Sequence, residues 1–138
     1  MRAEDLQIGD LLRVNRDGLC IKKGTVVTVR GIDGSNNFPE KGLYGVADCR
    51  PLDESQFQGG IWLDYLDPIP LTPELLEKNG FGEQRFERMS VWSILGFSIE
   101  LDFSTWKYYW ANGDVEISSV HELQHALRIC GIMKEIQI

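Results

Sequence analysis

Phe97-Ser98-Ile99-Glu100-Leu101-Asp102-Phe103 alternates apolar and polar side chains without interruption. Successive residues of a β-strand point to opposite faces, so this period of two sets Phe97, Ile99, Leu101 and Phe103 on a buried face and Ser98, Glu100 and Asp102 on a solvated one. Downstream, Trp106-Lys107-Tyr108-Tyr109-Trp110 leads through Asn112-Gly113 to Val115-Glu116-Ile117. Asn-Gly suits the two left-handed positions of a type I′ turn, which predicts a two-residue hairpin. In that register Trp110 faces Val115, Tyr108 faces Ile117, and Trp106, Tyr108, Trp110, Val115 and Ile117 share one face. Upstream, residues 90–94 are strand-like too.

Two helices flank this meander. Thr72 can cap the first, with Pro73 at its first position, a staple between Leu71 and Leu76, and closure at Gly80. The second spans residues 120–130. At about 100° per residue, Val120, Leu123, Ala126, Leu127 and Cys130 form one apolar arc, with His121, His125 and Arg128 on the opposite, solvent-facing side. Ser119-Val120-His121-Glu122 is a capping box, in which Ser119 caps an amide and Glu122 reaches back to the amide of Ser119. Gly131 and Ile132 fit a Schellman closure against Leu127. A short strand is expected at residues 135–138.

The first half reads as short antiparallel strands: Leu11 to Val14, a turn at Asn15-Arg16-Asp17-Gly18, Leu19 to Ile21, then Thr25-Val26-Val27-Thr28-Val29 ending at Gly31. A polar loop at residues 33–40 precedes candidates at residues 43–49 and 61–66. Ile8-Gly9-Asp10-Leu11-Leu12-Arg13-Val14 resembles the opening strand of an SH3-like barrel, an analogy of fold that carries no function. The class is therefore α+β: an N-terminal SH3-like antiparallel β-barrel over residues 1–68, joined through Pro68-Ile69-Pro70 to an α+β subdomain over residues 69–138. That subdomain comprises a short helix, a hairpin or meander, and a C-terminal helix.

At 138 residues with 43% hydrophobic side chains, the chain can build a real core. The net charge of −7 is evenly spread, with no basic face in the sequence, which speaks against nucleic-acid binding. The nearest to a cationic patch is Arg13, Arg16, Lys22 and Lys23. Cys20, Cys49 and Cys130 have no Cys-x-x-Cys spacing and read as reduced, buried small hydrophobes. Met1-Arg2-Ala3-Glu4-Asp5-Leu6 has no apolar run of signal-peptide length, and no membrane span is visible, so a soluble cytoplasmic protein is expected.

His121-Glu122-Leu123-Gln124-His125 matches the pattern by which a helix presents two zinc ligands and a general base. A catalytic zinc needs a third protein ligand and an open position; the third would have to come from Glu135 or from upstream acids such as Asp102 or Asp114, and no spacing favours any of them. The capping box accounts for Glu122 without catalysis, and Arg128 would stand close to a bound dication. The aromatic run at residues 106–110 could be a stacking platform but fits better as hairpin core, leaving Lys107 and Tyr109 outside. Glu100 and Asp102 read as solvated charge rather than a glycosidase pair. There is no Gly-rich phosphate loop, no Gly-x-Ser-x-Gly elbow and no Cys–His pair whose proximity the sequence supports.

Three segments carry a family resemblance: Leu6-Gln7-Ile8-Gly9-Asp10, Leu66-Asp67-Pro68-Ile69-Pro70-Leu71-Thr72-Pro73-Glu74, and Val120-His121-Glu122-Leu123-Gln124-His125-Ala126-Leu127 with its following glycine. On these the chain resembles short uncharacterised proteins abundant in gut Bacteroides-type bacteria and in their mobile elements. In that family the C-terminal motif often has Gln at the position of Glu122 and Asn at that of His125, which implies that general base and ligand are dispensable. The resemblance assigns no activity to any residue.

The leading expectation is a non-enzymatic binding or adaptor protein of a bacterial accessory or mobile element, with no cofactor and another protein as partner. The alternative is a small zinc-dependent hydrolase using His121, Glu122 and His125.

Overall fold

A computed structural model describes residues 1–18, 20–53, 59–111 and 113–138. The chain is a small α+β protein in two compact units, Met1–Ile69 and Pro70–Ile138. Among the described residues no helix is long and apolar enough to cross a membrane.

In the first unit β1 (Leu11–Val14), β2 (Val26–Phe38), β3 (Leu43–Pro51), β4 (Gly59–Trp62) and β5 (Leu66–Pro68) form one antiparallel sheet in the order β4-β3-β2-β1-β5. Leu12, Val14, Val27, Val29, Ala47, Cys49, Leu63 and Leu66 make its core. The sheet does not close into the expected barrel. Its two outer strands are short, and β5 ends in Pro68, which has no N–H to give a further partner.

The polar loop expected at residues 33–40 is largely strand. β2 runs on to Phe38 against β3, with register shifts between Val29 and Gly31 and between Asp33 and Asn37. The second of these bulges is held by polar side chains: Asp33 Oδ1 accepts from the Ser35 amide and hydroxyl, and Asn37 Oδ1 accepts from the Gly45 amide at 3.0 Å. The strand expected at Leu19 to Ile21 is absent at Cys20 and Ile21, which lie in a turn closed by Gly18 N–H to the Ile21 carbonyl; Leu19 lies outside the described residues.

The second unit is a plain antiparallel meander of β6 (Gly82–Arg85), β7 (Met89–Ile94), β8 (Phe97–Asp102), β9 (Lys107–Trp110) and β10 (Val115–Ile117). Phe97, Ile99 and Leu101 are buried, as their alternation predicts. Trp110 pairs with Val115 and Tyr108 with Ile117, the register read from Asn112-Gly113. Asn112 itself lies outside the described residues; Gly113 has φ 88°. Trp106 departs from the expected shared face. It sits before β9 with φ 57° and is 68% exposed, because its amide turns back to the Asp102 carbonyl at 2.7 Å and ends the alternation.

α1 (Pro73–Lys78) and α2 (Val120–Ile129) are both capped as expected. Thr72 accepts from the Leu75 amide, and Phe81 N–H to Leu76 and Gly80 N–H to Glu77 form a Schellman closure. Ile132 N–H to Leu127 and Gly131 N–H to Arg128 repeat it at α2. The final residues form no strand. Buried Asn79 replaces a neighbouring strand there: its Nδ2 donates to the Gln137 carbonyl at 2.8 Å and its Oδ1 accepts from the Gln137 amide at 2.7 Å.

Two substitutions test these contacts. In Gly45→Ala the new Cβ would lie 2.7 Å from Leu63 Cδ1 at a residue with φ 82°. Left-handed strain and overpacking together should cost about 2–4 kcal/mol, read as a lower urea midpoint. Asn79→Ala should cost about 1–3 kcal/mol and speed amide exchange at Gln137.

Candidate functional site

The histidine motif lies in the first turns of α2, where Ser119 is the N-cap. Three contacts meet at its hydroxyl. Ser119 Oγ accepts from the Glu122 amide at 3.4 Å, donates to Glu122 Oε1 at 2.8 Å, and stands 3.0 Å from His121 Nδ1. The Ser118 hydroxyl donates to the same Glu122 oxygen at 2.9 Å. A hydroxyl has one proton; with that proton on Glu122, His121 Nδ1 must be the donor to Ser119 Oγ. Both lone pairs and the proton of Ser119 are then committed. Only the N-cap half of the expected capping box forms: Ser119 caps the Glu122 amide, while the Glu122 carboxylate engages the two hydroxyls rather than the Ser119 amide.

This Ser, His and Glu set resembles nucleophilic machinery only in composition. In a triad the base takes the serine proton and the acid orients the base. Here the serine hydroxyl keeps its proton and donates it in a hydrogen bond to the acid instead of to the histidine, and Ser119 is only 2% exposed.

The expectation that both imidazoles face solvent fails at His121, which is buried, as is Gln124. Gln124 lies at the edge of the apolar arc, whereas His121 lies opposite it and is enclosed all the same: the wheel gives the direction of the arc but not what else covers the helix. His125 is half-buried, and its ring meets that of His121 edge-on at 5.6 Å between centroids. Among the described residues no group of three or more His, Cys, Asp or Glu side chains is placed to hold a metal ion. Asp102 is on β8, Asp114 follows β9, and Glu135 is exposed in the terminal segment.

The other candidates are dispersed. Arg13 lies on β1 opposite Asp67, the Arg16 guanidinium stacks 3.9 Å above the Tyr65 ring, and Lys22 and Lys23 are exposed. Glu100 and Asp102 line a hollow of about 840 Å³ with Met89, Phe103 and Tyr109. The Ser104 hydroxyl and amide both donate to Asp102 and hold its carboxyl below the usual range. Cys20 and Cys130 are exposed rather than buried; burial pushes the Cys49 thiol up to about 12. Comparison of the chain with protein-family models, curated proteins and solved structures finds no match.

Tyr108, expected in the hairpin core, is there, 5% exposed, and its hydroxyl has no hydrogen-bond partner among the described residues. Burial, then the charges of Glu74 and Glu83, push its pKa up to about 12. Because the protonated phenol is the form the fold favours, its contribution is complete below pH about 10, the unfolded value, and is lost as pH rises toward 12. Absorbance titration should show one late-ionising tyrosine. Tyr108→Phe should abolish that phase and raise stability by about 1 kcal/mol by removing an unsatisfied hydroxyl.

Proposed function

We propose that the chain is a non-enzymatic binding or adaptor protein that acts on another protein, in the cytoplasm of a bacterium carrying it on an accessory or mobile element. The observation that carries this reading is the use of Glu122: its carboxylate is engaged by Ser118 and Ser119 in a helix cap, a structural role that explains the motif without catalysis. Exposed Phe86 and Trp106, the latter against Phe103 at 5.7 Å, give the second unit apolar surface of the kind partners use. The strand order of the first unit, with β1 between β2 and β5, supports the SH3-like comparison and leaves its function open.

A zinc-dependent hydrolase is the second reading, favoured by the adjacency of the His121 and His125 rings one helical turn apart. Elemental analysis of untagged protein separates the two. The binding reading expects no stoichiometric zinc, no turnover of peptide or ester substrates, and no difference in Glu122→Gln. One zinc per chain with turnover lost in Glu122→Gln would establish the hydrolase instead.

A further inference from the structure

β6 is the outermost strand of its sheet, and all four of its residues are exposed. The Phe86 amide donates to the Met89 carbonyl at 2.8 Å, which makes that pair a hydrogen-bonded site of the ladder. Antiparallel pairs alternate, so Gln84 opposite Val91 and Gly82 opposite Ser93 are the next hydrogen-bonded sites. The main-chain groups of Glu83 and Arg85 therefore point away from β7 to the open edge, and they have no main-chain partner among the described residues.

We propose that this edge pairs with the same edge of a second copy of the chain, antiparallel, about a two-fold axis through Gln84. The inference stands independently of the adaptor reading. In this register Glu83 lies opposite the partner's Arg85, and Arg85 opposite the partner's Glu83. Both are residues whose N–H and C=O face outward, so each pair exchanges two main-chain hydrogen bonds and sets opposite charges directly across the ladder. Glu83 and Arg85 form an ion pair within one chain at 3.0 Å, and the cross-strand pairs replace it with the same chemistry.

Bulk is complementary as well. Phe86, 48% exposed, falls opposite the partner's Gly82, where no side chain obstructs the ring, and an aromatic over an edge glycine stabilises strand pairing. Edges that resist association carry Pro or unmatched charge; in Gly82-Glu83-Gln84-Arg85 the charges cancel across the axis and there is no proline. A strand of four residues buries much less than the roughly 1,200 Å² of a stable interface, so the dimer is weak and fills only at high concentration.

Sedimentation velocity and amide exchange on the full chain, at rising concentration, test the pairing. The expected result is a monomer–dimer equilibrium in which the amides of Glu83 and Arg85 gain protection as the dimer fills. Glu83→Arg alone, or Arg85→Glu alone, places like charges across the axis and should weaken association roughly tenfold. The double exchange Glu83→Arg with Arg85→Glu restores opposite charges and should restore association, which separates charge matching from any loss of fold. A chain monomeric to millimolar concentration overturns the proposal. So does a dimer indifferent to the single reversals, or one that the double exchange fails to rescue.

Discussion

The hydroxyl of Ser119 has one proton and two lone pairs, and the second unit depends on how they are used. Ser119 ends the chain's return from β10, bridges to Pro70 at the start of the unit, and caps the helix that supplies Val120, Leu123 and Leu127 to the core. The Leu71 amide donates to the adjacent Ser118 carbonyl, so the segment that opens the unit and the start of its last helix are fastened at one point. A buried hydroxyl with every valence satisfied is stable; one with a missing partner costs the full desolvation of the group. The local requirement to complete the first turn of α2 therefore holds Ser119, His121 and Glu122 together.

What could be read in the sequence is what local chemistry decides. The β9–β10 register was legible, with Trp110 opposite Val115, and Thr72, Gly80, Ser119 and Gly131 marked the helix ends, because caps and tight turns depend on a few neighbouring residues. Strand extents were less legible. β2 carries Gly34, Ser35 and Asn36 inside a bulge, and an inserted residue breaks the period of two on which strand recognition relies. β6 is exposed throughout, so it has no buried face to impose a pattern. The segment at residues 135–138 pairs with a side-chain amide, for which strand propensity has no signal.

The candidate site was legible as residues and misread as geometry. The phase of α2 follows from its leucines, but whether His121 and Gln124 are covered depends on neighbours that the helix itself does not encode. Trp106 shows the complementary error: alternation assigns it to the core only if the strand continues, and the turn begun at Asp102 ends it first. Side chains outside a regular element cannot be placed by the element's period.

The two sheets have the same number of strands but differ in wiring. The meander of the second unit joins each strand to its successor, whereas β1 must find β5, with Leu12 opposite Pro68, across almost the whole of the first unit. Closing so long a loop costs entropy before any contact repays it. Until β5 docks, the edge of β1 that carries Leu12 and Val14 stays open, a surface that can aggregate on a ribosome or in a refolding tube.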